Sequence, residues 1–234
     1  MNKVIVATGY VPLKVQHMDQ TMFKNLGRSL INTCENAHVP VYSFEDFRYK
    51  DCWLAKESPP MVGANPRAPD RFTTDEEHVR SNVVCHQFVE WAWKAYKKCP
   101  EADVVVAMTY TVLKQGDFTG KHVQPEHIIE FLNKVKLYKF KDIPFPGITP
   151  KGPVDVAGHN WRFCGSTHIW PTKWLREIRR EFKDQTRWFI KRFGKTPLDL
   201  QIWPLVEQVS DLPFRWYKAE YDATQFTNFP GVPK

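Results

Sequence analysis

Residues 102–112 read ADVVVAMTYTV, and this stretch decides the fold class. Residues 104–108 are all apolar and mostly β-branched, which is typical of a strand buried on both faces of a sheet. Three hydroxyl-bearing residues follow at once: Thr109, Tyr110 and Thr111. Ligands of open α/β sheets bind beyond the carboxyl ends of the strands. The stretch therefore predicts an α/β fold with a candidate site where this strand ends.

The N-terminal region repeats the strand pattern. Residues 3–8 (KVIVAT) predict a buried strand that ends at Gly9, and residues 39–44 (VPVYSF) predict a second one. Between them, apolar side chains recur every four residues over 17–37, which predicts an amphipathic helix. Strand, helix and strand at this spacing form a right-handed βαβ unit. We therefore expect a mostly parallel central sheet with helices on both faces.

The other elements are predicted from capping residues, prolines and alternating patterns. Further helices are expected to begin near Thr74, Pro125, Pro171 and Pro197, the last one bent or broken at Pro204, and further strands to cover 162–170 and 214–221. The Pro- and Gly-rich residues 139–158 are predicted as a loop. We expect a single α/β domain over 1–234, in which this loop divides a nucleotide-binding half, 1–138, from an acceptor and donor-sugar half, 139–234.

Composition narrows the class of protein. The 234 residues carry a net charge of +7 and a pI near 9.1, which favours polyanionic partners such as nucleic acid or nucleotide phosphates. The five cysteines are scattered and form no C-x-x-C pair, so we expect a reduced, cytoplasmic chain without a zinc site. The N-terminal apolar run is too short for a signal or membrane segment, so no membrane partner is expected. Neither G-x-G-x-x-G nor a P-loop motif occurs, which argues against a dehydrogenase or a kinase.

Candidate nucleotide-binding residues stand in the first half of the chain. Thr8, Gly9 and Tyr10 offer a hydroxyl, a close backbone approach and an aromatic face for a nucleobase or ribose. The same triplet also fits an ordinary transition from strand to turn. Arg80, in the first turns of the second long helix, matches the oxygens of a diphosphate, or else pairs with a neighbouring glutamate in solvent.

Candidate catalytic residues stand in the second half. Arg162, Gly165, Ser166 and His168 cluster in an otherwise apolar segment, where backbone amides and a hydroxyl would line a sugar or phosphate pocket. His168 taken alone also fits a core imidazole. Asp199 stands between two leucines, where it would be a base or an electrostatic stabiliser in a cleft, or an acid that complements a helix N-terminus.

A basic stripe lies within residues 173–195. Arg176, Arg180, Lys183 and Arg187 recur at three- or four-residue spacing, so they share one helix face. A stripe of this kind is the electrostatic footprint of a nucleic-acid-binding surface. It also fits a solvated helix face, and the sequence leaves both interpretations open.

Three stretches resemble the GT-A class of nucleotide-diphosphosugar glycosyltransferases. Residues 100–112 (PEADVVVAMTYTV) are similar to the strand that delivers the family's Asp-x-Asp motif. Residues 160–178 (NWRFCGSTHIWPTKWLREI) resemble the strand, loop and helix near the donor sugar. Residues 196–226 (TPLDLQIWPLVEQVSDLPFRWYKAEYDATQF) resemble the helix with a late acidic residue and the strand after it. The resemblance implies a Rossmann-like GT-A sandwich that transfers a sugar from a nucleotide-sugar donor to an acceptor hydroxyl, with Asp199 and then His168 as the catalytic candidates.

The chain departs from the family at the metal-binding motif. Residues 109–111 (TYT) replace the carboxylate pair, and hydroxyls do not hold a hard divalent cation as two carboxylates do. The resemblance then implies an enzyme that requires no cofactor, one in which Asp117 or Asp222 holds Mn²⁺ or Mg²⁺, or a fold that has lost its activity. In a metal-free site the charge on the leaving diphosphate would fall to Arg80, Arg162 or Lys114.

The basic stripe and the Pro-rich residues 57–70 indicate which kind of acceptor the enzyme would use. Phage-type enzymes that glycosylate hydroxymethylated bases in DNA combine such a core with a basic surface, and a base in a duplex would have to be flipped out. This interpretation predicts a DNA acceptor in the host cytoplasm, while polysaccharide and lipid-linked acceptors stay open. The alternative from another class is a non-catalytic nucleic-acid-binding α/β protein that uses the basic helix and has no donor site.

Overall fold

The computed structural model describes residues 1–10, 20–44, 49–57, 83–116, 119–147 and 166–231. The strands in this part of the chain are β1 (Val4–Gly9), β2 (Val41–Phe44), β3 (Val104–Thr109), β4 (Ile143–Gly147), β5 (Thr167–Pro171) and β6 (Phe214–Lys218). The helices are α1 (Gln20–Asn36), α2 (Trp53–Lys56), α3 (Phe88–Lys98), α4 (Pro125–Leu137), α5 (Thr172–Phe193), α6 (Asp199–Val209) and α7 (Thr224–Thr227). Short 3-10 turns cover Tyr49–Asp51 and Tyr110–Lys114.

The central sheet has the strand order β2-β1-β3-β5. β1 pairs in parallel with β2 and with β3, so Gly9 has Phe44 on one side and Thr109 on the other. β5 runs antiparallel to β3, with Thr167 opposite Met108, so β5 begins at the edge where β1 and β3 end. The prediction of an α/β fold with a mostly parallel sheet is confirmed, with one antiparallel strand at the edge.

Helices cover both faces of this sheet, because alternate residues of each strand point to opposite sides. The α1/α4 face buries Val4 and Val6 of β1 with Leu30 of α1 and Ile128 of α4. The opposite face, which we call the α3/α5/α6 face, buries the intervening β1 and β3 side chains with aromatic residues of the three helices: Phe88, Trp91, Phe182 and Trp203. Each fully buried large apolar side chain contributes about 1.5–3 kcal/mol to stability.

A strand that the sequence did not predict occurs inside the Pro-rich segment. Residues 139–158 were expected to be a loop, yet β4 lies within them and pairs in parallel with β6 as a separate two-stranded sheet. The N–H of Ile143 donates to the carbonyl of Pro213 at 2.8 Å. Pro144 and Pro146 occupy the alternate positions, whose missing N–H groups would point away from β6. The two prolines are therefore compatible with a strand that pairs on one side.

The predicted element ends needed three further corrections. β3 ends at Thr109 and the chain turns into the 3-10 turn Tyr110–Lys114, where the sequence pattern extended the strand. The helix predicted to begin near Pro197 is α6, which begins at Asp199, so this residue is the first of the helix. Pro204 does not break the helix, because α6 continues to Val209. A proline here removes only the bond to the carbonyl of Leu200, in the first turn.

Candidate functional site

The carboxyl ends of β1 and β3 and the start of β5 meet at one edge of the sheet. Gly9 is the register partner of Thr109. The N–H of Thr109 donates to the carbonyl of Ser166 at 3.1 Å, just before β5 begins. Predicted site residues from both halves of the chain are therefore neighbours at this edge, where ligands of α/β sheets bind.

The chemistry of residues 109–111 does not fit a divalent metal. The Thr109 and Thr111 hydroxyls are hydrogen-bonded to each other at 2.9 Å, and the Tyr110 hydroxyl is 2.5 Å from that of Ser43. Tyr110 is buried and its ring packs against Gly27 of α1. These neutral oxygens are bonded within the protein, and Mg²⁺ and Mn²⁺ prefer carboxylates. Within the described residues, no group of three His, Cys, Asp or Glu side chains is placed to hold a metal ion.

The triplet Thr8, Gly9 and Tyr10 is mostly committed to packing. The Thr8 hydroxyl is buried and donates to the carbonyl of Met108 at 2.8 Å. A Cβ on Gly9 would come within 2.5 Å of the ring of Trp91, so only glycine fits there. The Tyr10 ring is buried and stacks on Phe23, with centroids 4.8 Å apart, so it does not present an open face to a base.

Ser166 belongs to a buried network of amide side chains. Its hydroxyl accepts a short hydrogen bond from Nε2 of Gln115, and its N–H donates to Oε1 of Gln225 at 3.2 Å. Nε2 of Gln225 closes the ring by donating to Oε1 of Gln115 at 2.6 Å. This ring fixes the turn before β5 to the segments after β3 and β6. Sequence reasoning missed both glutamines, since neither belongs to a recognisable motif.

His168 and Asp199, which are separated by thirty residues in sequence, lie side by side in the α3/α5/α6 face. Nε2 of His168 is 3.8 Å from Oδ2 of Asp199, and the two residues are 0% and 4% exposed. β5 supplies His168 opposite Ala107, and the first residue of α6 supplies Asp199. The imidazole is enclosed by aromatic rings, with centroids 4.9–5.5 Å away: Phe88, Phe145, Trp170 and Trp203.

The pKa values show that this pair is not an ordinary ion pair. Burial lowers the pKa of His168 to about 3, so its imidazole is neutral near pH 7. Burial raises the pKa of Asp199 to about 7, although backbone amides of Leu200 and Asp199 itself oppose this shift. Each group resists its charge in the aromatic surroundings. A carboxyl with a pKa near 7 is matched to proton transfer at neutral pH.

His86 holds the chain just before Asp199. Its Nε2 is 3.0 Å from the carbonyl of Pro197, so Nε2 carries the proton, and its Nδ1 is 3.4 Å from the Thr186 hydroxyl. Burial lowers the pKa of His86 to about 4. Cys85 lies close enough to Asp199 that the carboxylate contributes, after burial, to raising the pKa of its thiol. Both residues were assigned only to a helix from sequence, and the adjacent Cys-His pair in an apolar run was the signal that could have marked them.

Asp222, the second carboxylate considered as a metal ligand, is tied to a helix start. It is 1% exposed, and its Oδ1 accepts the N–H of Thr224 at 2.8 Å together with a short bond from the Thr224 hydroxyl. Burial opposes its ionisation, but these bonds outweigh burial and lower its pKa. Asp222 therefore behaves as a capping residue of α7.

Most of the predicted basic stripe is paired inside the protein. Lys183 is largely buried, 2.9 Å from Glu90 and above the ring of Trp53. Arg187 binds Glu57 with two nitrogens, at 2.7 and 2.6 Å. Arg180 contacts two neighbouring glutamates on its own helix, and Arg176 is exposed. The stripe thus connects α5 to α2 and α3. Arg80, Arg162, Gly165 and Asp117 lie outside the described residues, so their predicted roles remain predictions.

No protein-family model matches the chain, and no curated protein matches it. The chain is similar to a solved structure described as a glycosyltransferase involved in the glycosylation of the major capsid of PBCV-1, with 11% sequence identity over 93% of this chain and 81% of that chain, and a TM-score of 0.48. A likeness of this extent does not establish a family. In the described part of the chain, no helix has both the length and the apolarity needed to cross a bilayer.

Proposed function

We propose that the protein is a GT-A-type glycosyltransferase that moves a sugar from a nucleotide-diphosphosugar to an acceptor hydroxyl. The observation that carries the proposal is the buried carboxyl of Asp199 beside His168. The pKa of Asp199 is raised to about 7. The three stretches that resemble the GT-A class include both residues. Asp199 belongs to the stretch similar to the family's helix with a late acidic residue.

In the proposed reaction, Asp199 is the general base. Its carboxylate takes the proton of the acceptor hydroxyl while that oxygen forms a bond to the anomeric carbon of the donor sugar. The bond between the anomeric carbon and the diphosphate oxygen breaks, and its electron pair leaves with the diphosphate. General-base catalysis of this kind contributes about 10²–10⁴ in rate. His168, neutral at this pH, packs beside Asp199 and keeps the carboxyl in a low-dielectric environment that holds its pKa high.

The proposed donor site lies at the sheet edge formed by Gly9, Thr109 and Ser166. Its chemistry uses no metal step, since the hydroxyls of residues 109–111 do not fit a divalent ion. We assign the charge on the leaving diphosphate to cationic side chains. Lys114, at the end of the turn after β3, is exposed, and Arg80 and Arg162 are the further candidates.

The finer part of the proposal concerns the acceptor. A net charge of +7 favours a polyanionic acceptor, and a hydroxymethylated base in DNA is the candidate that supplies a hydroxyl within such a polymer. The enzyme would then work in the cytoplasm of an infected host.

The first test is donor binding. The purified protein is heated with each of a panel of nucleotide sugars, with manganese and separately with a chelator. A bound donor raises the free energy of unfolding by RT ln(1 + [L]/Kd), about 2.7 kcal/mol at a hundredfold excess over Kd. We expect one donor to stabilise the protein in the presence of chelator, and the matching nucleoside monophosphate to stabilise it less. A panel without any stabilisation would contradict the proposal and favour a non-catalytic protein.

A further inference from the structure

Ion pairs neutralise the positive charges in the middle of α5 but not those at its ends. Between residues 179 and 183, acidic partners lie close to the basic side chains: Arg179 and Lys183 with Glu90, and Arg180 with Glu177 and Glu181. Arg187 is held by Glu57 and Asp184. Lys191, Arg192 and Lys195, beyond it, make no ion pair with any described residue. Among the described residues, unneutralised positive charge therefore lies at both ends of α5: Lys173 and Arg176 at its start, and Lys191, Arg192 and Lys195 at and just beyond its end.

An exposed tryptophan lies among the cations at the C-terminal end of α5. Trp188 is 46% exposed and contacts Phe193 edge-on, with centroids 5.9 Å apart. Lys191 and Arg192 follow it by three and four residues, so all three side chains share one face of the helix. We call Trp188, Lys191, Arg192 and Lys195 the Trp188 patch. Basic residues in the last turn also complement the helix dipole, but this does not account for an indole left in solvent.

The contacts of α5 show in which direction the helix runs. Arg179 lies over the ring of Trp93 in α3, Lys183 contacts Glu90, and Thr186 contacts His86, so α5 runs antiparallel to α3. The C-terminal end of α5 is therefore next to His86, which binds the carbonyl of Pro197.

The chain between the patch and Asp199 is short. Gly194 ends α5 in the left-handed conformation, at φ 62°, and its N–H donates to the carbonyl of Ile190. Five residues later α6 begins with Asp199. The Trp188 patch and α6 are thus joined by a short connection.

We propose that the Trp188 patch binds single-stranded nucleic acid. An unpaired base would stack on the indole of Trp188, while Lys191, Arg192 and Lys195 would contact the phosphates on either side. Aromatic platforms flanked by cations are the usual way in which proteins hold single strands without reading their sequence. The role of the strand as acceptor rests on the proposed transferase, whereas the binding surface itself does not.

The test is the affinity of the full chain for a fluorescein-labelled oligothymidylate, measured by anisotropy without any donor. Trp188→Ala should weaken binding about tenfold, the amount expected for loss of one stacked base, and Trp188→Phe should recover part of it. The double variant Lys191→Glu, Arg192→Glu should bind more weakly still and should reduce the slope of log affinity against log salt by about 0.7 for each removed phosphate contact. The double variant Lys139→Glu, Lys141→Glu makes the same change in net charge on exposed residues after α4, and it should bind like the parent.

Each result decides the question. Equal losses of affinity in both charge-reversal variants, or unchanged binding of Trp188→Ala, would overturn the proposal. Binding would then depend only on the net charge of the protein. Variants that bind the oligonucleotide normally but lose binding to phosphatidylserine vesicles would replace the strand with a membrane surface. Donor stabilisation measured on the same variants keeps the two proposals apart, because it should be unchanged whether or not the Trp188 patch binds nucleic acid.

Discussion

Asp199 and Asp222 are both buried carboxylates near the start of a helix, yet their chemistry is opposite. They are 4% and 1% exposed. Burial raises the pKa of Asp199 to about 7. At Asp222 the bonds from Thr224 outweigh burial and lower the pKa. Low exposure alone therefore does not identify a functional carboxylate in this protein, because the two residues differ in how strongly burial disfavours the charged form as well as in the hydrogen bonds that compensate for lost water.

The two carboxylates also differ in their surroundings. Asp199 lies against a face rich in aromatic rings, where its titratable neighbour His168 is itself neutral at pH 7. Asp222 has the hydroxyl and amide of Thr224 and the positive charge of Lys121 nearby. The first arrangement keeps a carboxyl ready to exchange a proton, and the second keeps one permanently ionised to fix the backbone. The comparison can be broken or sharpened by substitution at each site.

The largest effect is expected for Asp199→Asn. The amide has nearly the same shape but cannot accept the acceptor's proton, so transfer from the donor found in the panel should fall about 10²–10⁴-fold. The measurement is product formation under saturating donor. Asp222→Asn is the matched control: it should keep the transfer rate of the parent while lowering its stability by about 1–3 kcal/mol, because Thr224 loses a charged partner. A parental rate in Asp199→Asn would remove its assignment as the base.

The same variant should show whether ionisation of Asp199 stabilises or destabilises the folded protein. The pKa of Asp199 is raised from 3.8 to about 7, so the folded state binds the proton more tightly than the unfolded state between these values. The parent therefore loses stability as pH rises from about 4 to about 7, whereas Asp199→Asn does not. Urea unfolding at pH 8 should find Asp199→Asn more stable than the parent, and at pH 4 this advantage should vanish. A variant destabilised at both pH values would indicate that the carboxyl has a packing role instead.

The next effect is on the pH dependence of the reaction. A base with a pKa of about 7 must be ionised to act, so kcat/KM should fall about tenfold for each pH unit below 7 and level off above it. The profile needs to be measured with an acceptor that does not titrate in this range. Asp222→Asn should give the same profile, because Asp222 is already ionised far below pH 7. An inflection near 4 in the parent would show that Asp199 is not held in the unionised form by burial.

The sequence predicted the strands β1 and β3, the amphipathic helices and the mostly parallel sheet because each depends on a local apolar period. It did not predict β4, because two prolines in five residues argue against a strand. They are tolerated here because β4 pairs with β6 on one side and the prolines take the positions that face away from it, which the sequence alone does not reveal. Asp199 and His168 were each predicted as site residues because they are polar residues with apolar neighbours in sequence, and nothing in the sequence linked the two. Their contact depends on β5 pairing antiparallel to β3 and on the turn that brings α6 back, and neither follows from a local pattern. The stacking role expected of Tyr10 was wrong because Phe23 and Tyr110 cover its ring.

The smallest effect concerns the bonds that make Asp222 different from Asp199. Thr224→Val removes the hydroxyl that donates to Asp222 and accepts the N–H of Glu220 at 2.8 Å, but keeps the backbone donor. We expect a loss of about 1 kcal/mol in the free energy of unfolding at pH 7, as for other capping hydroxyls. Thr224→Ser should retain most of it.

Unfolding of Thr224→Val at acidic pH tests whether these hydrogen bonds cause the lowered pKa of Asp222. A lowered carboxyl pKa contributes stability that is present above its unfolded value and is lost as pH falls through its folded value. Thr224→Val should raise the pKa of Asp222, because burial is then less fully opposed, and the parent's advantage over the variant should shrink as Asp222 is protonated. Carboxyl titration by NMR of both proteins measures this directly. An unchanged pKa of Asp222 in Thr224→Val would mean that hydrogen bonding is not what separates the two carboxylates, and the position of Asp199 in the aromatic face would then have to account for the whole difference.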